Sequence, residues 1–183
     1  MTTEIGCCFT ENIITAYKNT PNLRQRLVRA ALPSDEIPGT FPCGRKNCKT
    51  CPYVDRQTLV IGPMGQYEIS HSYSCSSTDV GYVITCTKCG KLYIGETCRC
   101  MGTRFREHIS RINRRDMNCE LTVHMMECNG GDIELLTVRG LFTVHDTALR
   151  RCREAALVRK LGTLVPYGMN REKSSWQRAV GNA

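Results

Sequence analysis

The chain has 183 residues, of which 41% are hydrophobic, and its formal net charge is +8 at pH 7. The hydrophobic content is sufficient for a folded core, so the composition excludes a disordered tail. The lack of any run of about 18 apolar residues excludes a membrane-spanning helix. The positive charge favours a polyanionic partner, because clusters of lysine and arginine release counterions when they neutralise phosphates.

Cysteine usage indicates the compartment. The chain contains 13 cysteines, an odd number, and residues 1–20 lack the basic region and apolar stretch of a secretory signal. We therefore expect a reducing, intracellular environment. In such an environment, cysteines in a Cys-x-x-Cys spacing favour zinc binding over disulfide formation.

The N-terminal part of the chain is predicted to form two segments. Residues 1–40 are expected to be a linker that contains one helix, at 21–31. Residues 41–78 are rich in turns and cysteines, and short strands are predicted at 58–61 and 66–71. We interpret the second segment as a small cysteine-rich module that zinc stabilises.

From residue 79 the pattern becomes more regular. The predicted elements are strands at 81–86 and 91–95, a helix from about Met101, a short helix at 121–127, a strand at either 132–138 or 141–144, and a helix at 147–161. Asp146 or Thr147 is the expected N-cap of the last helix, and Gly162 is its expected C-terminal stop. The segment 79–170 is therefore predicted to be an α+β domain, followed by a tail at 171–183.

One candidate metal site combines a hairpin with a helix. Cys86 and Cys89 have the two-residue spacing that lets both sulfurs face one ion. His124 and Cys128 are four residues apart on a predicted helix, so their side chains lie on one face. Together these four residues predict a tetrahedral zinc site. The alternative is a pair of buried free thiols with a histidine that caps the helix.

A second candidate metal site lies in the cysteine-rich module. Cys43, Cys48 and Cys51 supply three thiolates, one too few for a closed structural site. Cys75 is the best fourth ligand in the sequence, and His71 is the runner-up. The six cysteines that belong to neither set are expected to be packed or exposed thiols.

An arginine-rich stretch follows the two predicted strands. Six arginines lie between Arg99 and Arg115, against a single acid, Glu107. Such a patch favours contacts with the phosphates of a nucleic acid, although a solvated helix face is the alternative. The arginines from which we expect nucleic-acid contacts are Arg99, Arg106, Arg111, Arg114 and Arg115.

An acid lies on the apolar stripe of the last predicted helix. On a helical wheel, Glu154 falls in the same sector as Leu157, Val158 and Leu161. A carboxylate in that position needs compensation, which an internal arginine or a divalent metal ion can give. Both explanations remain open from the residues alone.

The chain resembles the GIY-YIG nuclease domain over roughly residues 79–170. The resemblance is carried, in order, by Tyr82, by Tyr93-Ile94-Gly95, and by Arg104, His108, Glu154 and Asn170. The first motif reads Val80-Gly81-Tyr82 instead of Gly-Ile-Tyr, and Arg104 follows Gly95 by nine residues. The resemblance implies a small central antiparallel sheet of about three strands flanked by helices.

The cysteine pair between the two tyrosine motifs is similar to the GIY-YIG subgroup at the C-terminus of Penelope-like retroelements. The sequence around Phe41-Pro42-Cys43 is similar to that subgroup as well. A reverse-transcriptase core is not part of this sequence. The resemblance therefore implies the end of a longer polyprotein or a stand-alone descendant of one, with nuclear localisation.

The resemblance also implies a mechanism, namely hydrolysis of a DNA phosphodiester bond. Glu154 would hold one Mg²⁺ or Mn²⁺ ion, and Arg104 would donate to the scissile phosphate. Tyr82 would act as general base or orient the attacking water, while Tyr93 and His108 would position groups and shuttle protons. Asn170 would fix the last loop beside the metal.

Three hypotheses follow from the sequence. The first is a metal-dependent DNA endonuclease that nicks target DNA for retrotransposition, with DNA as partner and with the reverse transcriptase domain of the polyprotein and its RNA as further partners. The second is a catalytically inactive, zinc-stabilised module that binds nucleic acid. The third is a redox or zinc-storage protein, which gives no role to Arg104 or Glu154.

Overall fold

The structure, a computed structural model, describes residues 37–172. The predicted helix at 21–31 and most of the predicted tail at 171–183 lie outside the described residues. The strands are β1 (Gly39–Phe41), β2 (Leu59–Ile61), β3 (Gln66–Glu68), β4 (Ser72–Ser74), β5 (Val80–Cys86), β6 (Leu92–Thr97) and β7 (Leu136–Thr143). The α-helices are α1 (Met101–Asn113), α2 (Glu120–Asn129) and α3 (Thr147–Leu161). The predicted α+β class is confirmed.

The central sheet is antiparallel and has three strands, in the order β6-β5-β7. Six of the seven residues of β5 are buried, as expected of a central strand covered on both faces. Helix α3 packs against β5 and β6, and α1 packs against α2. Within residues 37–172, no helix has both the length and the apolar character required to cross a membrane.

The last helix begins and ends at the predicted residues. Asp146 is the N-cap, because its Oδ1 accepts a hydrogen bond from the backbone N–H of Leu149 at 2.8 Å. Gly162 ends the helix in the left-handed conformation, with φ 68°. A glycine adopts that conformation without the steric cost that a Cβ imposes.

Strand β7 is one continuous strand at 136–143, so both alternatives in the sequence interpretation had wrong bounds. Gly140 separates the two predicted runs and resembles a break. In the structure it pairs with Tyr82 of β5, and a Cβ at this position would collide with the ring of Tyr73. The glycine therefore allows a close approach between the strand and an aromatic ring; it does not end the strand.

Residues 37–78 pack directly on the central sheet. Their short strands form two pairs, β1 with β4 and β2 with β3. The backbone N–H of Gly140 donates to Thr40 Oγ1 at 2.9 Å, and the Tyr67 hydroxyl donates to the Leu141 carbonyl at 3.0 Å. The cysteine-rich segment at 41–78 and the segment 79–170 thus belong to one compact unit with a shared core.

Candidate active site and metal centres

Tyr82 lies in the middle of β5 and is almost completely buried, with 1% of its surface exposed. Its register partner on β6 is Gly95. A Cβ added at Gly95 would lie 2.5 Å from the Tyr82 hydroxyl oxygen. The glycine of the Tyr93-Ile94-Gly95 motif therefore makes room for the Tyr82 ring to cross the neighbouring strand.

Helix α1 brings two polar side chains to the Tyr82 hydroxyl. Arg104 Nε donates to this hydroxyl at 3.2 Å, and His108 Nε2 lies 2.8 Å from it. Arg104 and His108 are four residues apart, so they share one helix face. The Tyr93 ring meets the His108 ring edge-on, with centroids 5.2 Å apart. The structure thus brings together four predicted site residues, which we call the Tyr82 cluster: Tyr82, Tyr93, Arg104 and His108.

Arg104 forms the exposed edge of the Tyr82 cluster, with 24% of its side chain exposed. Its Nη1 makes an ion pair with Glu107 Oε2 at 3.1 Å. The same carboxylate pairs with both terminal nitrogens of Arg99, at 2.6 and 2.9 Å. One acid therefore holds two arginines beside the site. Sequence reasoning counted Glu107 only as the acid within a basic patch, although its i, i+3 spacing from Arg104 was a usable signal.

Glu154 lies on α3 and is 2% exposed. Burial is the main reason why the pKa values of Tyr82 and Tyr93 are raised, and the negative charge of Glu154 adds to both shifts. The charge of the Glu154 carboxylate therefore acts on both phenols.

The Tyr82 phenol is protonated at neutral pH. Burial raises its pKa well above the ordinary value, and this effect outweighs the opposing influence of the Arg104 charge and hydrogen bond. The phenol oxygen accepts from Arg104, so its single proton is available for His108 Nε2. Tyr82 therefore serves as a hydrogen-bonding link between arginine and histidine in the resting protein.

Asn170 is buried against the edge strand β6. Its Oδ1 accepts from the backbone N–H of Ile94 at 2.9 Å and from Thr163 Oγ1 at 2.8 Å. Its Nδ2 donates to the Ile94 carbonyl at 2.8 Å. The side-chain amide thus pairs with Ile94 as a neighbouring strand would. These contacts fix the loop at 163–170 next to Tyr93, while proximity of Asn170 to a catalytic metal stays a prediction.

A buried arginine that the sequence interpretation did not single out supports the edge of this region. Arg150 is 1% exposed, and its Nε pairs with Glu96 Oε2 at 2.6 Å. Its Nη1 pairs with Asp79 Oδ1 at 3.1 Å. Arg150 lies one helical turn before Glu154 on α3, and that i, i+4 spacing was the available signal. This network ties α3 to β6, the strand that carries Tyr93.

Four thiols of the cysteine-rich segment lie around one point. We call Cys43, Cys48, Cys51 and Cys75 the first cysteine cluster, since their sulfurs all lie within 4.8 Å of one another. Cys51 Sγ is 3.6 Å from both Cys43 Sγ and Cys75 Sγ. Two sulfurs about 2.3 Å from one tetrahedral zinc ion would be roughly 3.8 Å apart, which fits. His71, the alternative fourth ligand, instead hydrogen-bonds to Ser70.

The second cysteine cluster joins the hairpin between β5 and β6 to helix α2. Its ligand atoms, from Cys86, Cys89, His124 and Cys128, also lie within 4.8 Å of one another. Cys89 Sγ is 3.4 Å from His124 Nε2. Burial, and then the charge of Lys91, lower the pKa of His124, which keeps the ring in the neutral form that a metal ligand requires. Both clusters could hold zinc ions.

The arginines with predicted nucleic-acid contacts differ in exposure and in their partners. Arg99 is engaged with Glu107, whereas Arg106 donates to the Gly102 carbonyl and to Thr103 Oγ1 of its own helix, both at 3.2 Å. Arg114 and Arg115 are exposed at the C-terminal end of α1. Arg111 lies one turn before them and is half-buried. Their contact with nucleic acid stays a prediction.

No protein-family model matches the chain, and comparisons with curated proteins and with solved structures also found no match. The chemistry of the side chains is therefore the basis for any function assigned to this chain. Two groups of residues carry that chemistry: the Tyr82 cluster with Glu154 and Asn170, and the two cysteine clusters.

Proposed function

We propose that this chain is a metal-dependent DNA endonuclease of the GIY-YIG type, which hydrolyses phosphodiester bonds and nicks target DNA for retrotransposition. The main support is the hydrogen-bonded chain from Arg104 through Tyr82 to His108, together with the buried Glu154 carboxylate, whose charge acts on the same phenol. A permanent cation, a proton path and a buried acid are the groups that phosphodiester hydrolysis needs.

Arg104 is the residue that a phosphate would meet first, because it is the exposed member of the Tyr82 cluster. Its planar guanidinium can donate two parallel hydrogen bonds to a phosphate and stays charged at any working pH. The Tyr82 hydroxyl holds Nε in place, and Glu107 holds Nη1. Arg104 would therefore stabilise the charge that develops on the phosphate in the transition state.

The donor chemistry at Glu154 fits a magnesium or manganese ion. These ions prefer carboxylate oxygens, and a buried carboxylate gains from a nearby divalent charge. When bound, such an ion would polarise a phosphate oxygen and lower the pKa of a coordinated water. The helix α3 holds the carboxylate rigidly beside the sheet, which suits a ligand whose position must not change during the reaction.

Tyr82 and His108 would move the proton of the attacking water. Because the pKa of Tyr82 is raised, its phenol is protonated at neutral pH. The phenol would instead take a proton from the water while its own proton passes to His108 Nε2, which lies 2.8 Å away. This transfer leaves a hydroxide to attack phosphorus, a neutral Tyr82 and a protonated histidine, so protons and charges balance.

The wider setting belongs to the same proposal. The two cysteine clusters would carry structural zinc, the arginines of α1 would contact DNA, and the protein would work in the nucleus with a reverse transcriptase domain and its RNA. Thiolate clusters without disulfides among the described cysteines are consistent with a reducing compartment.

A nicking assay tests the proposal. Zinc-loaded protein is incubated with supercoiled plasmid and Mg²⁺ or Mn²⁺, and the relaxed form is measured for the wild type, Arg104→Ala and Glu154→Ala. We expect each variant to lose at least about a hundredfold in rate. Arg159→Ala, an exposed arginine on the same helix as Glu154, is the control and should cleave like the wild type.

A second candidate function has support in the burial of the site. Tyr82, His108 and Glu154 are each at most 2% exposed, which favours a structural role for the cluster in a module that only binds nucleic acid. Wild-type protein that binds DNA but does not nick it with either metal would reject the nuclease and establish this inactive, zinc-stabilised binding module.

A further inference from the structure

A basic cavity of about 250 Å³ lies between the first cysteine cluster and the N-terminal turn of α1. Three cationic side chains line it: Arg45, Lys49 and Arg106. Asn47, Ser76 and Thr103 add polar groups, and no carboxylate is among its lining residues. The cavity therefore combines positive charge with hydrogen-bond donors, as a phosphate site does.

The charge of these cations is not neutralised within the part of the chain that the structure describes. Arg45, Lys49 and Arg106 are exposed, and residues 37–172 supply no ion-pair partner to any of them. Arg106 bonds to a backbone carbonyl and a hydroxyl of its own helix, both neutral groups. These bonds fix the guanidinium in place and leave its charge available.

The negative charge of the neighbouring zinc-loaded thiolates would not cancel the positive charge of these three cations. A zinc ion with four thiolates carries a formal charge of −2, whereas the three lining cations carry +3. The difference, 3 − 2, leaves one positive charge at the cavity even when the first cysteine cluster is loaded with zinc. Lys46 is a further exposed cation beside Arg45 and does not line the cavity.

We propose that the basic cavity binds a backbone phosphate of duplex DNA, as a contact additional to the Tyr82 cluster. The choice of DNA as ligand rests on the proposed function, while the cavity itself rests on its own residues. Arg106 is two residues from Arg104, so the two side chains leave α1 in nearly opposite directions and meet different phosphates. A contact of this kind sets the position of the duplex on the protein and reads no sequence.

Binding measurements with a matched pair of lysines test the proposal. Fluorescence anisotropy of a labelled duplex DNA gives Kd for zinc-loaded wild type, Lys49→Ala and Lys46→Ala, over a series of salt concentrations and without Mg²⁺ or Mn²⁺. We expect Lys49→Ala to weaken binding roughly five- to tenfold at low salt and to reduce the slope of log K against log salt by about 0.9, the loss of one phosphate contact. Lys46→Ala should change neither value appreciably.

Three results would overturn the proposal. The first is a loss in Lys49→Ala no larger than that in Lys46→Ala. The second is loss of zinc from Lys49→Ala, since the lysine would then serve the thiolates. The third is a Lys49→Ala variant that binds a labelled duplex RNA more weakly than the wild type does but binds duplex DNA equally well. This test measures binding and not cleavage, so it is independent of the nicking assay. If the wild type does not nick plasmid but Lys49→Ala still weakens DNA binding, the proposed nuclease activity is wrong and the phosphate site in the cavity is supported.

Discussion

The cysteine clusters and the Tyr82 cluster are held together in different ways. In each cysteine cluster, the ligand atoms of four residues approach one another around a point where an ion fits. In the Tyr82 cluster, hydrogen bonds already join the Tyr82 hydroxyl to Arg104 and His108, and the Asn170 side chain is bound to Ile94 in the same manner. The first arrangement could hold an ion, whereas the second is held by burial and hydrogen bonds.

This difference determines how each region responds to change. Thiolates that face one another repel unless a cation lies between them, so removal of a bound zinc ion would destabilise the local fold. A buried hydrogen-bonded cluster, in contrast, is held rigid by its own protein contacts and needs no ligand to stay assembled. Under the proposed function, structural and chemical roles are therefore separated in this chain, and mutations can test that separation.

The largest expected effect is the loss of a cysteine ligand. Cys51→Ser and Cys86→Ser each remove one member of a different cluster, and each variant should bind at least one zinc ion fewer than the wild type. Structural zinc sites contribute on the order of 10 kcal/mol, comparable with the stability of a whole domain, so both variants should unfold largely at 25 °C. Zinc content by elemental analysis and circular dichroism measure the two outcomes.

Cys152→Ser is the control for both substitutions. Cys152 is exposed on α3 and belongs to neither cluster. This variant should keep the full zinc content and the wild-type melting temperature. Wild-type zinc content in Cys51→Ser or Cys86→Ser would show that the corresponding cluster is a group of packed thiols.

The second largest effect should be on chemistry alone. Tyr82→Phe removes the hydroxyl that links Arg104 to His108 and, under the proposed mechanism, should lower the nicking rate by about a hundredfold or more. Zinc content should not change, and the free energy of unfolding should fall by only about 1–3 kcal/mol. Plasmid nicking and urea unfolding measure the two values.

A second buried tyrosine provides the matched control. Tyr73 is 3% exposed and, mainly because of burial, has a pKa raised to about 12, but it lies outside the Tyr82 cluster. Tyr73→Phe should leave the nicking rate unchanged. Equal losses of activity in the two variants would indicate a general effect of removing a buried hydroxyl and would contradict a chemical role for Tyr82.

The third largest effect should be on the stability of the fold at Asn170. Asn170→Ala removes three hydrogen bonds and leaves both backbone groups of Ile94 without their partner on the edge of the sheet. We expect a loss of about 2–3 kcal/mol in the free energy of unfolding, with zinc content unchanged. Asn118→Ala, an exposed asparagine, is the control and should cost less than about 0.5 kcal/mol. Equal unfolding free energies for both variants would contradict a structural role for Asn170.

Much of this architecture could be predicted because its signals are local. The helix Thr147–Leu161 has its N-cap and its glycine stop within the sequence, and both were correct. The cysteine clusters could be predicted because thiolates and imidazole at short spacings have few other uses. In the first cluster, the choice between Cys75 and His71 required the structure, since both follow Cys51 by a similar distance along the chain.

The parts that sequence reasoning missed depend on distant partners. Strands Gly39–Phe41 and Ser72–Ser74 have three residues each and lack an apolar period, and their pairing with each other defines them. Arg150 is charged but buried, because Glu96 and Asp79, 54 and 71 residues away, approach it in the fold. A local pattern of polar residues cannot predict such burial, since the compensating charges come from other elements.

The smallest expected effect lies at the exposed edge of the Tyr82 cluster, at Glu107. Burial opposes ionisation of this carboxyl, but hydrogen bonds and charge from Arg104 and Arg99 lower its pKa below the unfolded value of 4.5. The stabilisation is therefore complete above pH 4.5 and disappears as the pH falls through the lower, folded value. Because a third of the side chain is exposed, Glu107→Gln should cost less than about 1 kcal/mol at pH 7.

Urea unfolding at pH 7 and at successively lower pH measures this cost, with Glu68→Gln, an exposed acid, as control. A cost that stays constant down to pH 3 would show that the two arginines do not stabilise the ionised form of Glu107. Burial alone would then hold the Tyr82 cluster in place, including its exposed edge.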